Sequence, residues 1–318
     1  MLLVNLFWFV VACVALIKSA DLVVKGLTKI SAYFRITEFV VGFVLIAMST
    51  SLPELFVGIS SSLKKTGELA VGTVIGANIV DAALIMGIVI LLGKGMRVDI
   101  KTIRKDLWYM LLIAALPVIL LMDRELSRID GAVLLLAFVI YIVVLVSQKR
   151  IFHKLMNDHK KDGLKTAVFG FAATMIGVAV LVLSSKFVVR YATALSADLN
   201  ISPLLVGLFM VALGTTLPEL AFSYKAAMLK QEELVFGDIV GSVIINSSVV
   251  LGIAALIHPI TAPFTAFIIS AIFMLVILFV FITFAESKTG FTRQEGIALI
   301  VLYVFFLLVE FYMKGLIK

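Results

Sequence analysis

The stretch "AMSTSLPELF", residues 47–56, places three hydroxyls, a proline and a glutamate inside an otherwise apolar run. Proline removes a backbone hydrogen bond and its ring clashes with the preceding turn, so we expect a kinked or broken helix at Pro53. Side chains three, four and seven positions apart share one face of a helix. The residues that share the face of Glu54 are Ala47, Thr50 and Ser51.

A second copy of this stretch, "ALGTTLPELA", occupies residues 212–221 and includes a second proline, Pro218. The two copies are offset by 165 residues, and the same offset aligns further residues before and after them. A constant offset over nearly half the chain indicates an internal duplication. The corresponding face of the second copy consists of Ala212, Thr215, Thr216 and Glu219.

The composition is that of a polytopic membrane protein. The chain has 318 residues, of which 62% are hydrophobic and 15% charged, and its mean hydropathy is +1.18. Runs of about 20 apolar residues, each long enough to cross the hydrocarbon core of a bilayer, recur from end to end. The single Cys13 excludes an internal disulfide framework. The predicted segments are 2–17, 37–61, 70–93, 106–122, 130–147, 166–185, 201–225, 234–256, 263–284 and 295–313.

These ten segments fall into two sets of five. We predict a first repeat at 1–148, a short basic cytoplasmic linker at 149–164 and a second repeat at 165–318. An odd number of crossings per repeat makes the second copy enter from the opposite face, which is the inverted-topology architecture of many transporters. Alternate loops contain 19 of the 27 Lys and Arg residues. The positive-inside rule therefore predicts a cytoplasmic location for these loops and an extracellular location for both termini of a cell-membrane protein.

The segment after each proline contains the rest of the repeated motifs, which together span 42–87 and 207–252. Asp81 lies four residues after Ala77, and Asn246 lies four residues after Ser242, so each pair projects to one side. Packing these segments against the Pro-Glu helices would gather the acids, the amide and several hydroxyls at the centre. Glycines at small-xxx-small spacing predict close helix packing. They are Gly72, Gly76, Gly237 and Gly241.

Carboxylates, hydroxyls and carbonyls are the ligands of hard cations. The sequence has no His or Cys cluster that would attract a soft transition metal. Two facing glutamates, Glu54 and Glu219, supply about the charge that neutralises one divalent ion, and an empty ionised pair would be costly. A site that holds either one divalent ion or several monovalent ions is typical of an antiporter.

Other readings of the residues stay open. A hydrogen-bonding role in packing would also explain Asp81 and Asn246. A passive cation channel is a second class of function, although an inverted repeat of broken helices argues against it. An enzyme is disfavoured, since the sequence lacks an HExxH motif, a paired-aspartate motif and a nucleophile with a base.

The motifs "STSLPE…GTVIGANIVD" and "GTTLPE…GDIVGSVIIN" resemble the two α-repeats of the cation/calcium antiporter superfamily. The likeness is to prokaryotic, archaeal-type sodium/calcium exchangers, and the layout of five plus five helices covers the whole chain. It implies an all-α fold of ten transmembrane helices, with broken helices at a central ion site. It also implies Na⁺/Ca²⁺ antiport by alternating access, with Ca²⁺ and Na⁺ as transported ions in a lipid bilayer, and no cofactor, nucleic acid or obligate protein partner.

The resemblance also implies roles for individual residues. Glu54 and Glu219 would be central calcium ligands shared with sodium, and Thr50 and Thr215 would add carbonyl or hydroxyl oxygens. One flanking sodium site would use Ala47, Ser51 and Ser242 with Glu54. The other would use Ala212 and Thr216 with Glu219. Asp81 and Asn246 would flank the middle of the cluster.

Two departures from the family pattern bear on the coupling ion. Ala77 stands where these exchangers commonly have a serine matching Ser242, and Asp81 and Asn246 exchange the usual amide and acid. The missing hydroxyl leaves room for H⁺ as the counter-ion. A H⁺/Ca²⁺ antiporter, or one for another divalent cation, is therefore the alternative to the Na⁺/Ca²⁺ exchanger.

Overall fold

The structure is a computed structural model that describes residues 2–34, 48, 50–93, 95–96, 100–147, 164–228, 232–262, 264–287 and 290–316. The first half contains α1 (Leu2–Phe34), α2 (Leu52–Leu63), α3 (Gly67–Ile79), α4 (Met86–Gly93), α5 (Ile100–Leu120) and α6 (Arg128–Ser147). The second half contains α7 (Leu164–Leu199), α8 (Pro203–Val206), α9 (Ala212–Thr215), α10 (Leu217–Met228), α11 (Glu232–Ile245), α12 (Leu251–Ile257), α13 (Phe264–Ala285) and α14 (Arg293–Leu316). Three π-helical segments join helices end to end: π1 (Val80–Ile85), π2 (Gly207–Val211) and π3 (Asn246–Val250).

The described part of the chain is almost entirely helical, as the composition predicts. Nine stretches of it are long and apolar enough to cross a membrane. The predicted segment 37–61 is represented by α2, since residues 35–47 and 49 lie outside the described ranges. The structure therefore shows a helical multi-pass membrane protein, and the count of ten crossings stays a prediction. The predicted linker also falls almost wholly on residues that are not described.

The helices α1 and α7 are 33 and 36 residues long, so the predicted segments 2–17 and 166–185 were too short. The apolar run of α1 ends near Lys18, but the helix continues to Phe34. Hydropathy shows which residues can face lipid. The backbone hydrogen bonds of a helix do not depend on hydropathy, so a helix can continue past the end of an apolar run. The two long helices pack against each other and, with neighbouring residues, form a separate apolar cluster.

The larger core lies between the remaining helices, and α3 runs through its middle. A Cβ atom on Gly72 would lie 1.9 Å from the Leu204 carbonyl oxygen, and one on Gly76 would lie 2.1 Å from that of Leu208. Such distances are below any real contact, so only glycine lets the α3 backbone touch α8 and π2. Close contact at these two glycines fixes the first half against the second.

Gly207 of the second half likewise allows close contact between π2 and α3, because a Cβ atom there would lie 2.4 Å from the Leu69 carbonyl oxygen. Gly237 does not fit the packing prediction, because it is exposed and a Cβ atom there would meet no described atom within 4 Å. It lies on the exposed face of α11, between the buried residues Phe236 and Asp238. Gly241, in the middle of α11, is buried.

Short antiparallel pairings tie loops together at the ends of the bundle. The two-residue strands β1 (Glu125–Leu126) and β2 (Ile260–Thr261) pair with Leu126 opposite Ile260. Met96 forms an isolated bridge with Phe291. Each pairing joins a first-half loop to a second-half loop, so the halves are linked at their ends as well as in the core.

Candidate ion-binding site

The two Pro-Glu stretches have the same local backbone. Ser51 (φ −83°, ψ 4°) directly precedes α2, and Thr216 (φ −83°, ψ 3°) separates α9 from α10. In each case proline is the second residue of the new helix, where its missing N–H costs nothing. Glu54 and Glu219 consequently lie in the first turn of their helices, where the helix dipole favours a negative charge.

Four carboxyl groups are buried at this centre: Glu54, Asp81 and Asp238 are fully inaccessible and Glu219 is 1% exposed. The carboxyl of Glu219 interacts electrostatically with each of the other three carboxyls. The ion pair of Arg104 with Glu286 lies elsewhere, and no ion pair from a described Lys or Arg to these four carboxyls is found. Buried charge without a partner is strongly unfavourable, so a bound cation would stabilise this centre.

Several buried oxygens at the centre also lack hydrogen-bond partners within the described ranges. They are both carboxylate oxygens of Glu54, both of Asp81, Oε2 of Glu219, Oγ of Ser51 and Oδ1 of Asn246. Ionised carboxylate and amide oxygens can only accept, and a buried acceptor that is left unpaired is costly. This donor set, made of oxygen atoms alone, has the chemistry that a hard cation requires.

One hydrogen-bonded cluster connects Thr50 of the first half to α11 of the second. The Thr50 hydroxyl donates to Asp238 Oδ1 at 3.1 Å and lies 3.3 Å from Ser242 Oγ. Ser223 Oγ donates to the other oxygen, Asp238 Oδ2, at 3.1 Å. Both oxygens of Asp238 are therefore engaged, in contrast to those of Asp81.

A second cluster crosses between α3 and π3. Asn78 Nδ2 donates to Ser247 Oγ at 2.8 Å, and Asn246 Nδ2 donates to Asn78 Oδ1 at 3.4 Å. Asp81 is in π1 and Asn246 is the first residue of π3, so these matching residues lie on matching π-helical segments. π-helical turns within α-helices are frequent at functional sites.

The other predicted residues occupy the same region with local contacts. Thr215 lies beside the Glu54 carboxyl, and its hydroxyl donates to the Val211 carbonyl at 3.0 Å. Thr216 donates to the carbonyl of Ala212, a buried residue, at 2.9 Å. Ala47 lies outside the described residues.

Three polar residues of the site were missed by the sequence analysis: Asp238, Asn78 and Ser223. Asp238 and Asn78 are inside the repeated motifs, but their counterparts 165 residues away are Thr73 and Val243. Aligning the two repeats to find polar residues that match therefore does not identify Asp238 or Asn78. The signal that could have identified them is a carboxyl or amide side chain within an apolar segment.

Within the ranges that the structure describes, no three His, Cys, Asp or Glu side chains converge as a metal-binding group. A cation at this centre would therefore draw on hydroxyl, amide and backbone oxygens as well as carboxylates. Hard cations such as Ca²⁺ take oxygen ligands of all these kinds.

The fold is that of a multi-pass membrane protein, and this centre is a candidate cation site to which two related halves contribute. The family model described as sodium/calcium exchanger protein matches the chain twice, over residues 4–147 and 169–312. The two matches are 165 residues apart, which is the offset of the repeated motifs. The chain belongs to the sodium/calcium exchanger protein family and resembles its archaeal members.

Similar proteins cover most of the chain. The putative antiporter CaxA of Alkalimonas amylolytica is 32% identical over 266 residues, covering 81% of this chain and 82% of CaxA. The sodium/calcium exchanger MaX1 of Methanosarcina acetivorans is 26% identical over 353 residues, covering 98% of this chain and 100% of MaX1. A solved structure of the sodium-calcium exchanger NCX_Mj, soaked with 10 mM Na⁺ and 10 mM Sr²⁺, has a TM-score of 0.65 at 26% identity. That match covers 96% of this chain and 98% of NCX_Mj.

Proposed function

We propose that this cation/Ca²⁺ antiporter exchanges Na⁺ for Ca²⁺ across the cell membrane by alternating access, with both termini extracellular. The observation that carries the proposal is the pair Glu54 and Glu219. Each lies in the first turn of the helix that contains its proline, is buried, and has at least one carboxylate oxygen without a described donor. Binding between two inverted halves is how alternating access exposes one site to either side of the membrane.

The charge at this centre supports exchange rather than simple binding. One Ca²⁺ compensates two carboxylates, and the same two carboxylates are compensated by two monovalent ions. An empty centre with ionised carboxylates would carry the full cost of unpaired buried charge. The protein can therefore switch between its inward-facing and outward-facing states only when one type of ion or the other is bound, which couples the two fluxes.

We assign roles to the site residues on this basis. Glu54 and Glu219 are the central Ca²⁺ ligands and also bind Na⁺, with oxygens from Thr50 and Thr215. The flanking Na⁺ sites are formed by Ala47, Ser51 and Ser242 on one side and by Ala212 and Thr216 on the other. Asp81 and Asn246 flank the middle, and Asp238 holds Thr50 and Ser223 in place through its two oxygens.

The helices α1 and α7 form the moving part in this proposal. A Cβ atom on Gly26 would lie 2.6 Å from the Gly170 carbonyl oxygen, and one on Gly177 would lie 3.0 Å from the Val23 nitrogen. Such close contact makes the two helices a single unit. The apolar cluster between this unit and its neighbours, which include Val57, Leu69 and Val206, is separate from the larger core, so the unit can slide over these residues without opening that core.

A H⁺/Ca²⁺ antiporter is the second candidate, and the observation that favours it is Asp81. Its carboxyl group is fully buried, and neither oxygen has a described hydrogen-bond partner. A carboxyl in this environment can bind a proton in place of a metal ion. The missing hydroxyl at Ala77 weakens one flanking Na⁺ site, which also favours H⁺ as the counter-ion.

Calcium flux into reconstituted vesicles distinguishes the candidates. Vesicles loaded with Na⁺ and diluted into Na⁺-free buffer with ⁴⁵Ca²⁺ should accumulate calcium, and accumulation should persist when ionophores clamp the pH gradient at zero. Uptake that follows a pH gradient and ignores Na⁺ would replace the first candidate by the second. Calcium that only equilibrates, whatever the gradients, would indicate a channel.

A further inference from the structure

Asn246 is the one amide among the residues assigned to the ion site, and an amide can face a cation in two ways. Its oxygen is a cation ligand, whereas its NH₂ group offers only hydrogens and repels a cation. The matching residue of the first half is Asp81, whose carboxylate presents oxygen in either orientation. Cation binding in the second half therefore depends on which atom of Asn246 faces the site.

The negative charge of the centre favours the orientation of Asn246 that does not bind a cation. Four buried carboxyls lie there, those of Glu54, Asp81, Glu219 and Asp238. While the site holds no cation, carboxylates attract the hydrogens of an amide and repel its oxygen. An unrestrained amide would point its nitrogen at them and would have to turn over before a cation could bind.

Asn78 holds the opposite orientation. The Nδ2 of Asn246, in π3, donates to the Oδ1 of Asn78, in α3, at 3.4 Å. The oxygen and nitrogen of an amide point in different directions from the same carbon, so this bond leaves Asn246 Oδ1 for another partner. That oxygen is buried and has no hydrogen-bond donor within the described ranges. A buried acceptor without a donor is costly, and a bound cation would remove the cost.

Asn78 is itself oriented by two neighbours. Its Nδ2 donates to Ser247 Oγ at 2.8 Å and to the Sδ of Met274, in α13, at 3.4 Å. A serine hydroxyl can donate or accept, but a thioether sulfur can only accept. If the Asn78 amide were turned over, its oxygen would face this sulfur with no hydrogen between them. Met274 therefore determines the orientation of Asn78, and Asn78 determines that of Asn246.

This hydrogen-bond relay, Met274–Asn78–Asn246, is buried and occurs once in the two repeats. Asn78 and Asn246 are fully inaccessible and Met274 is 1% exposed. The residue that matches Asn78 in the second half is Val243, which has no polar group with which to orient Asp81. An orienting amide is thus present beside the amide of the site and absent at the position that would serve the carboxylate, which needs no orientation.

We propose that Asn78 is a positioning residue for cation binding, which keeps the oxygen of Asn246 available to the ion. The inference rests on the proposed function, in which Asn246 flanks the middle of the site, and it assigns Asn78 and Met274 to the support of that residue. Because the relay fixes the oxygen before a cation arrives, binding does not include the cost of turning the amide over.

Ca²⁺ binding to the purified full-length protein, measured as the dependence of its thermal unfolding on Ca²⁺ concentration, tests this role without measuring transport. Binding of Ca²⁺ is common to the Na⁺-coupled and H⁺-coupled candidates. Asn78→Leu replaces the amide by an apolar side chain of similar size and should raise the apparent Kd about tenfold, as outer-shell substitutions do. In a chain that also has Asn246→Asp, the same substitution should raise the Kd less than about threefold, because both carboxylate atoms are oxygens.

A second, milder variant tests the start of the relay. Met274→Leu removes the sulfur and keeps most of the volume, and it should raise the apparent Kd about twofold, since a thioether is a weak acceptor. Met110→Leu, at another buried methionine of the same core, is the matched control and should bind Ca²⁺ as the wild type does. This pair decides the question if Asn78→Leu does not fold.

Three results would overturn the role of Asn78. They are wild-type Ca²⁺ binding by Asn78→Leu, an equal effect of Asn78→Leu with and without Asn246→Asp, and equal effects of Met274→Leu and Met110→Leu. The second of these results would mean that Asn78 supports the fold and not the orientation of Asn246. A wild-type protein that Ca²⁺ does not stabilise would instead contradict the proposed function itself, and this inference with it.

Discussion

The two halves of the ion site share a backbone but differ in their hydrogen bonds. Ser51 and Thr216 have nearly identical dihedral angles at the two helix breaks. The Thr50 hydroxyl nevertheless reaches across to Asp238, whereas that of Thr215 turns back to the Val211 carbonyl of its own helix. Duplication has therefore preserved the path of the chain more closely than the contacts of its side chains.

The cause of this difference lies in the residues that face the two threonines. Thr50 meets Asp238 and Ser242. The residues at the matching positions of the first half are Thr73 and Ala77. Thr73 donates to the Leu69 carbonyl at 2.8 Å and Ala77 has no side-chain oxygen, so Thr215 has no equivalent partner there.

The two halves differ in their hydrogen bonds but contribute equal numbers of carboxyl groups to the centre. Each half supplies two buried carboxyls to the centre, Glu54 and Asp81 from the first and Glu219 and Asp238 from the second. Only the glutamates occupy matching positions, since Asn246 is the counterpart of Asp81. The number of charges per half is thus retained while their positions are not. We infer that the total charge of the centre is the constrained quantity.

The largest effect is expected at the matching glutamates. Glu54→Gln and Glu219→Gln each keep the shape of the side chain and remove one charge from the centre. Removing one partner from a buried charge arrangement costs about 3–5 kcal/mol, so Na⁺-dependent calcium uptake should fall by at least about 100-fold. Glu125→Gln, at an exposed glutamate of β1, is the control and should transport normally. Wild-type uptake by either site variant would remove these residues from the site.

An intermediate effect is expected from moving a charge between the halves. Asp81→Asn should lower uptake about tenfold, because it removes a charge that flanks the centre. Adding Asn246→Asp to that variant restores the count of carboxyls at the matching position. Uptake by the double variant should return to within about threefold of wild type, as expected for residues that couple. A double variant as impaired as Asp81→Asn would show that position, rather than total charge, is constrained.

The sequence predicted the backbone of this site well. The repeated Pro-Glu motif indicated broken helices in both halves, and the structure has α2 and α10 starting directly before Pro53 and Pro218. This succeeded because the effect of proline on a helix is local and needs no knowledge of neighbours. The close approach at Gly72 and Gly76 was predicted for a similar reason, since spacing along one helix fixes which face is small.

The partners within the site could not be predicted in the same way. Which oxygen accepts from Thr50 depends on how α11 lies against the break at Ser51, and that is a property of tertiary packing. The ends of α1 and α7 were missed for another reason, because charged residues such as Lys18 end an apolar run without ending a helix. Sequence periodicity therefore predicted the candidate site, and helix packing determines the hydrogen bonds within it.

The smallest effect is expected from restoring the symmetry at Ala77. Ala77→Ser would give the first half the hydroxyl that Ser242 supplies in the second, at a fully buried position. A buried hydrogen bond contributes about 0.5–1.5 kcal/mol, so apparent Na⁺ affinity should rise about two- to twelvefold, with little change for Ca²⁺.

Steady-state Na⁺ dependence of ⁴⁵Ca²⁺ uptake in vesicles measures this change. Ala70→Ser is the control, because it adds a hydroxyl to the same helix at another buried alanine. If Ala77→Ser raises Na⁺ affinity and Ala70→Ser does not, the missing hydroxyl is what weakens one flanking Na⁺ site. If Ala77→Ser leaves the Na⁺ dependence unchanged, Ala77 does not face that site, and the asymmetry of the threonines must come from Asp238 alone. The Asp238 carboxylate would then be the residue that draws Thr50, and not Thr215, across the boundary between the halves.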